Sequence, residues 1–123
     1  MLTTKLAIFS SWALVALAVL HVVFGLIKFR APLMQAISAG FIGQFALSES
    51  RRTAFWFVMF GLLLLLVGHI AVRAAVAADL ALLGLVGSYV FAISLIGVAA
   101  FPRSPFPLSL FIAALLLLAS FGL

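Results

Sequence analysis

Few side chains in this sequence can do chemistry. Its 123 residues include two histidines, two carboxylates, one tyrosine and no cysteine. His21 lies inside a long, predominantly apolar run from Leu6 to Ile27 that contains no Lys, Arg, Asp or Glu. An ionisable side chain at membrane depth is a functional candidate by default, whether for proton transfer, metal ligation or a polar headgroup. The plainer alternative is a neutral imidazole bonded to a serine, a glutamine or a backbone carbonyl of a neighbouring helix. Tyr89 falls near the middle of a second run, Leu80 to Phe101, where its hydroxyl needs a partner. His21, Gln44, Ser88 and Ser94 are the available types. Glu49 stands beside Arg51 and Arg52. It is either a relay partner for His21 or a helix-start carboxylate balancing Arg52 at a surface. At about 1.5 Å per helical residue it differs from His21 in depth by about 10 Å, so a relay needs it to fold inward. His21, Tyr89 and Glu49 are therefore the candidate acid–base residues. Trp12, Gln44, Trp56 and Ser88 are the candidate ligand contacts. Aromatic-belt and core packing are the alternative for the tryptophans.

No metal site or cofactor is expected. His69 lies near the far end of its own run, beside Arg73. Counted from the run midpoints, His21 and His69 fall in opposite leaflets, about 15 Å apart along the normal. No phosphate-binding glycine loop, serine–histidine–acid arrangement or metal-ligand spacing is present.

The elements that must position these residues are membrane-sized helices. Between Thr53 and Val72 there is no charge apart from His69, with Arg51 and Arg52 at one end and Arg73 at the other. About 20 apolar residues span the ~30 Å hydrocarbon core of a bilayer. The expected spans are 6–27, 53–72, 80–101 and 108–123. A cleaved signal peptide is the competing interpretation of the first run. That run is longer than a usual signal core, Leu20-His21-Val22 is a poor cleavage site, and Lys28 and Arg30 follow as a stop. Residues 32–47 are uncharged but carry Pro32, Gln35, Ser38, Gly40, Gly43 and Gln44. On a helix, Leu33, Met34, Ile37, Phe41 and Phe45 form one bulky face, and Ala36, Ala39, Gly40 and Gly43 a small one. This fits a short interfacial helix, or a re-entrant helix packed through its small face. Ser48 or Glu49 suits the start of the second span and Asp79 that of the third. The fold class is all-α integral membrane, a four-transmembrane-helix bundle in one domain, 1–123.

Composition supports this. The chain is 68% hydrophobic and only 7% charged, against about 25% charged in soluble domains, so a water-soluble fold lacks polar surface. The net charge of +5 comes from residues scattered at helix ends, which is not a nucleic-acid footprint. Lys28, Arg30, Arg51, Arg52 and Arg103 would share one side and Lys5 and Arg73 the other. The positive-inside rule then puts both termini outside the cytoplasm.

One further pattern is carried by His21-Val22-Val23-Phe24-Gly25, by Pro32-Leu33 with Gly40, and by Ala54-Phe55-Trp56-Phe57 followed by Gly61 and Gly68. It resembles a family of small bacterial four-helix membrane proteins that carries only a domain-of-unknown-function label. The likeness covers about residues 10–70; the last two spans share only hydrophobicity. It implies a protein of the bacterial cytoplasmic (inner) membrane and no established activity or cofactor.

Three functions follow. One is a non-catalytic scaffold or accessory subunit that binds a hydrophobic ligand. The second is an enzyme acting by proton transfer on a lipophilic, isoprenoid or lipid-like substrate, with His21 as acid or base facing Tyr89 in a closed pocket. The third is a small dimeric transporter, which would lack the first-span carboxylate of the familiar four-helix multidrug antiporters. The partners expected are membrane lipids, a lipophilic small molecule, and a homo-oligomer or larger membrane complex.

Overall fold

The computed structural model describes residues 2–123, and all regular structure among them is helical. Helix α1 spans Leu2–Lys28, α2 Arg30–Ser38, α3 Glu49–Val76, α4 Leu80–Ala100 and α5 Phe106–Ser120, with one 3-10 turn at Gln44–Ala46. Three of these, α1, α3 and α4, are long and apolar enough to cross a membrane. Helix α5 is apolar but has only 15 residues.

The boundaries have local causes. Pro32 lacks the N–H that would bond the Lys28 carbonyl, so α1 stops there and α2 starts afresh at Arg30. The helix expected over 32–47 ends at Ser38. Gly40 takes φ +111°, Phe41 N–H bonds the Ala36 carbonyl at 2.9 Å, and Gly40 N–H bonds Ile37 at 3.1 Å. That pair of bonds is a Schellman closure, which needs a left-handed residue where Gly40 stands. Phe41 and Gly43 also have positive φ, so the chain turns back at 39–43 instead of running on as a helix. Ser48 then caps α3, accepting the Arg51 N–H at 3.2 Å. Asp79 caps α4, accepting the Leu82 N–H at 3.0 Å.

Helix α3 closes with the same motif: Asp79 N–H reaches Ala74 at 2.8 Å and Ala78 N–H reaches Ala75 at 3.2 Å. Here the left-handed residue is Ala78, at φ +54°. A Cβ in that conformation costs roughly 1 kcal/mol. Ala78→Gly is therefore expected to stabilise the fold by about 0.5–1 kcal/mol, read as a raised midpoint in a denaturing-detergent titration.

Packing follows a seven-residue rhythm. On α3, Ala54, Gly61, Gly68 and Ala75 are all buried, each step of seven residues being two turns of a 3.5-residue period. Against them runs α1 in antiparallel register, with Val22 beside Gly61 and Val15 beside Gly68. On α4, Leu83, Gly87, Val90, Ser94 and Gly97 are buried. They face Ser109, Ile112, Ala113, Leu116 and Ala119 of α5, with Leu116 against Gly87 and Phe106 against Gly97. Small residues let the backbones approach, which raises dispersion contact where water supplies no driving force. Contacts of α1 with α5 and of α3 with α4 join the two hairpins. The shared core contains Leu14, Leu83 and Leu116, all fully buried.

Candidate functional site

His21 is held by α3. Its Nε2 lies 3.0 Å from the Phe57 carbonyl oxygen, and since a carbonyl only accepts, Nε2 carries the proton. The imidazole stacks on the Phe57 ring at a centroid distance of 4.0 Å and 12° between planes, with Phe60 at 5.4 Å. The Phe57 oxygen also faces the N–H one turn on, that of Gly61, so its second lone pair takes the histidine. Gly61 makes room for this. A Cβ there would sit 2.8 Å from His21 Cδ2 and 2.6 Å from Val22 Cγ2. The ring is thus a cross-link between the first and third helices, fixed on one face by an aromatic and on one edge by backbone.

Tyr89 is elsewhere. It is 67% exposed on the outer face of α4, and no contact brings it to His21. Ser88, also outward, bonds its own helix at the Gly84 carbonyl, 2.7 Å away. Glu49 lies in the exposed first turn of α3, eight residues before Phe57 and so about 12 Å from it along the axis. The three candidate acid–base residues are not assembled into one site. The helix register also places His69 seven to eight residues from the level of His21, about 10 Å along the axis and less than the spans alone imply. That gap still exceeds the reach of two imidazoles on one metal, at about 2 Å per bond.

At the start of α3, helical periodicity sets Glu49, Arg52, Thr53, Trp56 and Phe57 along one side of the helix, where they line a shallow, wide-open groove of about 520 Å³. Phe57, one of its lining residues, is also the ring on which His21 stacks. Nearby, the Arg51 guanidinium donates to both the main-chain and side-chain oxygens of Gln44 at 3.3 Å. The Arg52 guanidinium donates to the Ala46 carbonyl at 2.7 Å. The two arginines tie the turn at 44–46 to α3, and Phe45 packs on Phe55 at 5.4 Å. Gln44 is therefore a strut of this turn. Trp12 lies in a separate groove of about 590 Å³ along α1, with Lys5, Ile8, Phe9, Ala13 and Ala16.

Sequence reasoning paired Glu49 with Arg52 but missed Thr53 and Phe57 as neighbours of Glu49 and Trp56 on the same surface. The i, i+3, i+4, i+7 spacing of 49, 52, 53 and 56 was the available signal, since it puts all four on one helix face. It also missed the hydroxyl pair Ser94–Ser109, at 2.7 Å in the interface of α4 and α5, for which α4 alone offers no sign.

An all-helical chain with three membrane-length apolar helices and no assembled catalytic constellation among the described residues defines a class, that of helical proteins suited to a bilayer. Within that class, the chain belongs to the family of unknown function DUF6463, whose model matches residues 5–121. No curated protein and no solved structure matches it.

Proposed function

We propose that this chain is a four-span protein of the bacterial inner membrane, acting as a non-catalytic scaffold or accessory subunit that holds lipophilic molecules in its outer grooves. The observation that carries this is the engagement of His21. Its protonated nitrogen and one ring face are both committed to α3, which leaves the one ionisable group within the apolar part of the first span with a structural task. The apolar flanks support the same reading. Trp12, Trp56, Phe9 and Phe24 are all more than half exposed, an arrangement suited to hydrocarbon and headgroup boundary rather than water. Helix α5 completes the fourth span with local thinning of the bilayer, because 15 residues reach only about 22 Å. Lys28, Arg30, Arg51, Arg52 and Arg103 then face the cytoplasm, and both termini the periplasm. The 30–47 segment lies in the cytoplasmic interface, with Met34, Ile37, Phe41 and Ile42 exposed toward lipid.

The test is native mass spectrometry of the full chain in mild detergent, followed by denaturing extraction of what remains bound. A lipid-like molecule is expected on the wild type. It should stay on His21→Gln and fall about tenfold in occupancy on Trp56→Ala. Loss of the ligand on His21→Gln in a folded protein, with Trp56→Ala unaffected, would overturn this reading in favour of the proton-transfer enzyme.

A further inference from the structure

The shallow groove at the start of α3 carries Glu49, Arg52 and Thr53 at its outer end and Trp56 and Phe57 at its inner end. Glu49 and Arg52 stand three residues apart on one face of the helix, with Thr53 beside them and Trp56 and Phe57 one to two turns further along. Helix α3 has 28 residues, hence a length of about 42 Å, while the hydrocarbon core is about 30 Å thick. Its first turn therefore stands among headgroups when its middle spans the core. Any molecule filling the groove meets a carboxylate and a guanidinium at headgroup level and aromatic rings below.

The charge pattern selects among headgroups. Arg52 uses one nitrogen on the Ala46 carbonyl, which holds the guanidinium in place and leaves its other N–H groups for a phosphate. A headgroup with phosphate alone would also meet the Glu49 carboxylate and be repelled by it. A quaternary ammonium would satisfy the charge of Glu49 but has no N–H to give, and the aromatic rings lie deeper than the charged pair instead of caging it. A primary ammonium both neutralises Glu49 and donates hydrogen bonds to it. Residues three apart on a helix have Cβ atoms about 5–6 Å apart, similar to the span of a two-carbon link between phosphate and amine.

We infer that this groove is a binding site for a phospholipid whose headgroup joins a phosphate to a primary ammonium, as in phosphatidylethanolamine. The phosphate lies on Arg52, the ammonium on Glu49, and an acyl chain runs along Trp56 and Phe57. The inference rests on the proposal that the chain holds lipophilic molecules in its grooves, and it names the class of molecule for one of them.

The full chain is reconstituted in vesicles with equal parts of ethanolamine, choline and glycerol phospholipids of identical acyl chains. It is then extracted in mild detergent and its retained lipids are weighed by native mass spectrometry. The wild type is expected to retain the ethanolamine lipid about tenfold over either competitor. Glu49→Gln should bring ethanolamine down to the level of choline while phospholipid remains bound, and Glu49→Asp should restore the preference. Arg52→Gln should lower retention of all three about tenfold. Retention in the proportions of the vesicle overturns the inference, and so does an ethanolamine preference that survives Glu49→Gln. A wild-type chain that retains no lipid of any kind overturns the scaffold proposal along with it.

Discussion

Gly68→Leu is expected to part α1 from α3 and to abolish the native packing of that hairpin. A Cβ at position 68 alone would lie 3.1 Å from the Val15 backbone nitrogen, 3.2 Å from its Cα and 2.9 Å from its Cγ2. Two of these atoms are main chain, so no rotamer change relieves the contact. The helices themselves must separate, and with them the buried seven-residue row Ala54, Gly61, Gly68 and Ala75. Overpacking of this kind costs about 1–3 kcal/mol for added methylenes. Gly68→Ala gains up to about 1 kcal/mol of helix propensity against that cost, so a net loss of about 1–2 kcal/mol is expected. Leucine should exceed 3 kcal/mol. Gly84→Ala is the control, because its Cβ meets only the Ser120 side chain, at 3.2 and 3.3 Å. Unfolding midpoints in a denaturing-detergent titration would rank the three. A Gly68→Leu protein as stable as Gly84→Ala would mean that α1 and α3 do not pack in this register.

His21→Ala is expected to cost about 2–4 kcal/mol. Three losses contribute. The hydrogen bond from Nε2 to the Phe57 carbonyl is worth about 0.5–1.5 kcal/mol, toward the lower end because the carbonyl keeps its helical N–H. The stack on Phe57 at 4.0 Å is worth a comparable amount. The space left by the ring adds a cavity cost. His21→Phe retains the ring and loses only the donor, so it should recover more than half of the stability. A double-mutant cycle with Phe57→Ala measures the coupling directly, expected at about 1–2 kcal/mol. Zero coupling would remove the cross-link on which the structural role of His21 depends.

Much of this protein was legible from residues alone. The long apolar runs bounded by Lys28, by Arg51 with Arg52, and by Arg73 specify helices, because a run of that length has no other way to satisfy its backbone away from water. Ser48 and Asp79 were readable as caps, since a short polar side chain next to an apolar run meets the free N–H groups of a helix start. The turn after α2 was harder. Gly40 and Gly43 were visible as small residues on a helix face. Only the fold shows them as left-handed turn positions with φ of +111° and +73°, because a glycine is compatible with both uses.

The site residues divide in the same way. Sequence placed Glu49 and Trp56 at the start of the same helix, and helical spacing is enough to make them neighbours of one groove. It could not orient Tyr89. Helix α4 is apolar all round, so hydropathy carries no sign of which side packs on α5 and which faces outward. The pairing of Leu83, Gly87, Val90, Ser94 and Gly97 with α5 turns Tyr89 to the outside, 67% exposed. The partner of His21 was equally beyond the sequence. Any backbone carbonyl at the right depth would serve, and only the antiparallel register of α1 on α3 selects that of Phe57. The sequence by itself determined where the chain is helical and how long each helix runs, because those depend on local backbone bonding and side-chain hydropathy. The tertiary structure decided which helix faces meet, and therefore which polar groups meet. In so apolar a chain that choice rests on the shape of small residues against large ones, which becomes definite only when two helices are in contact.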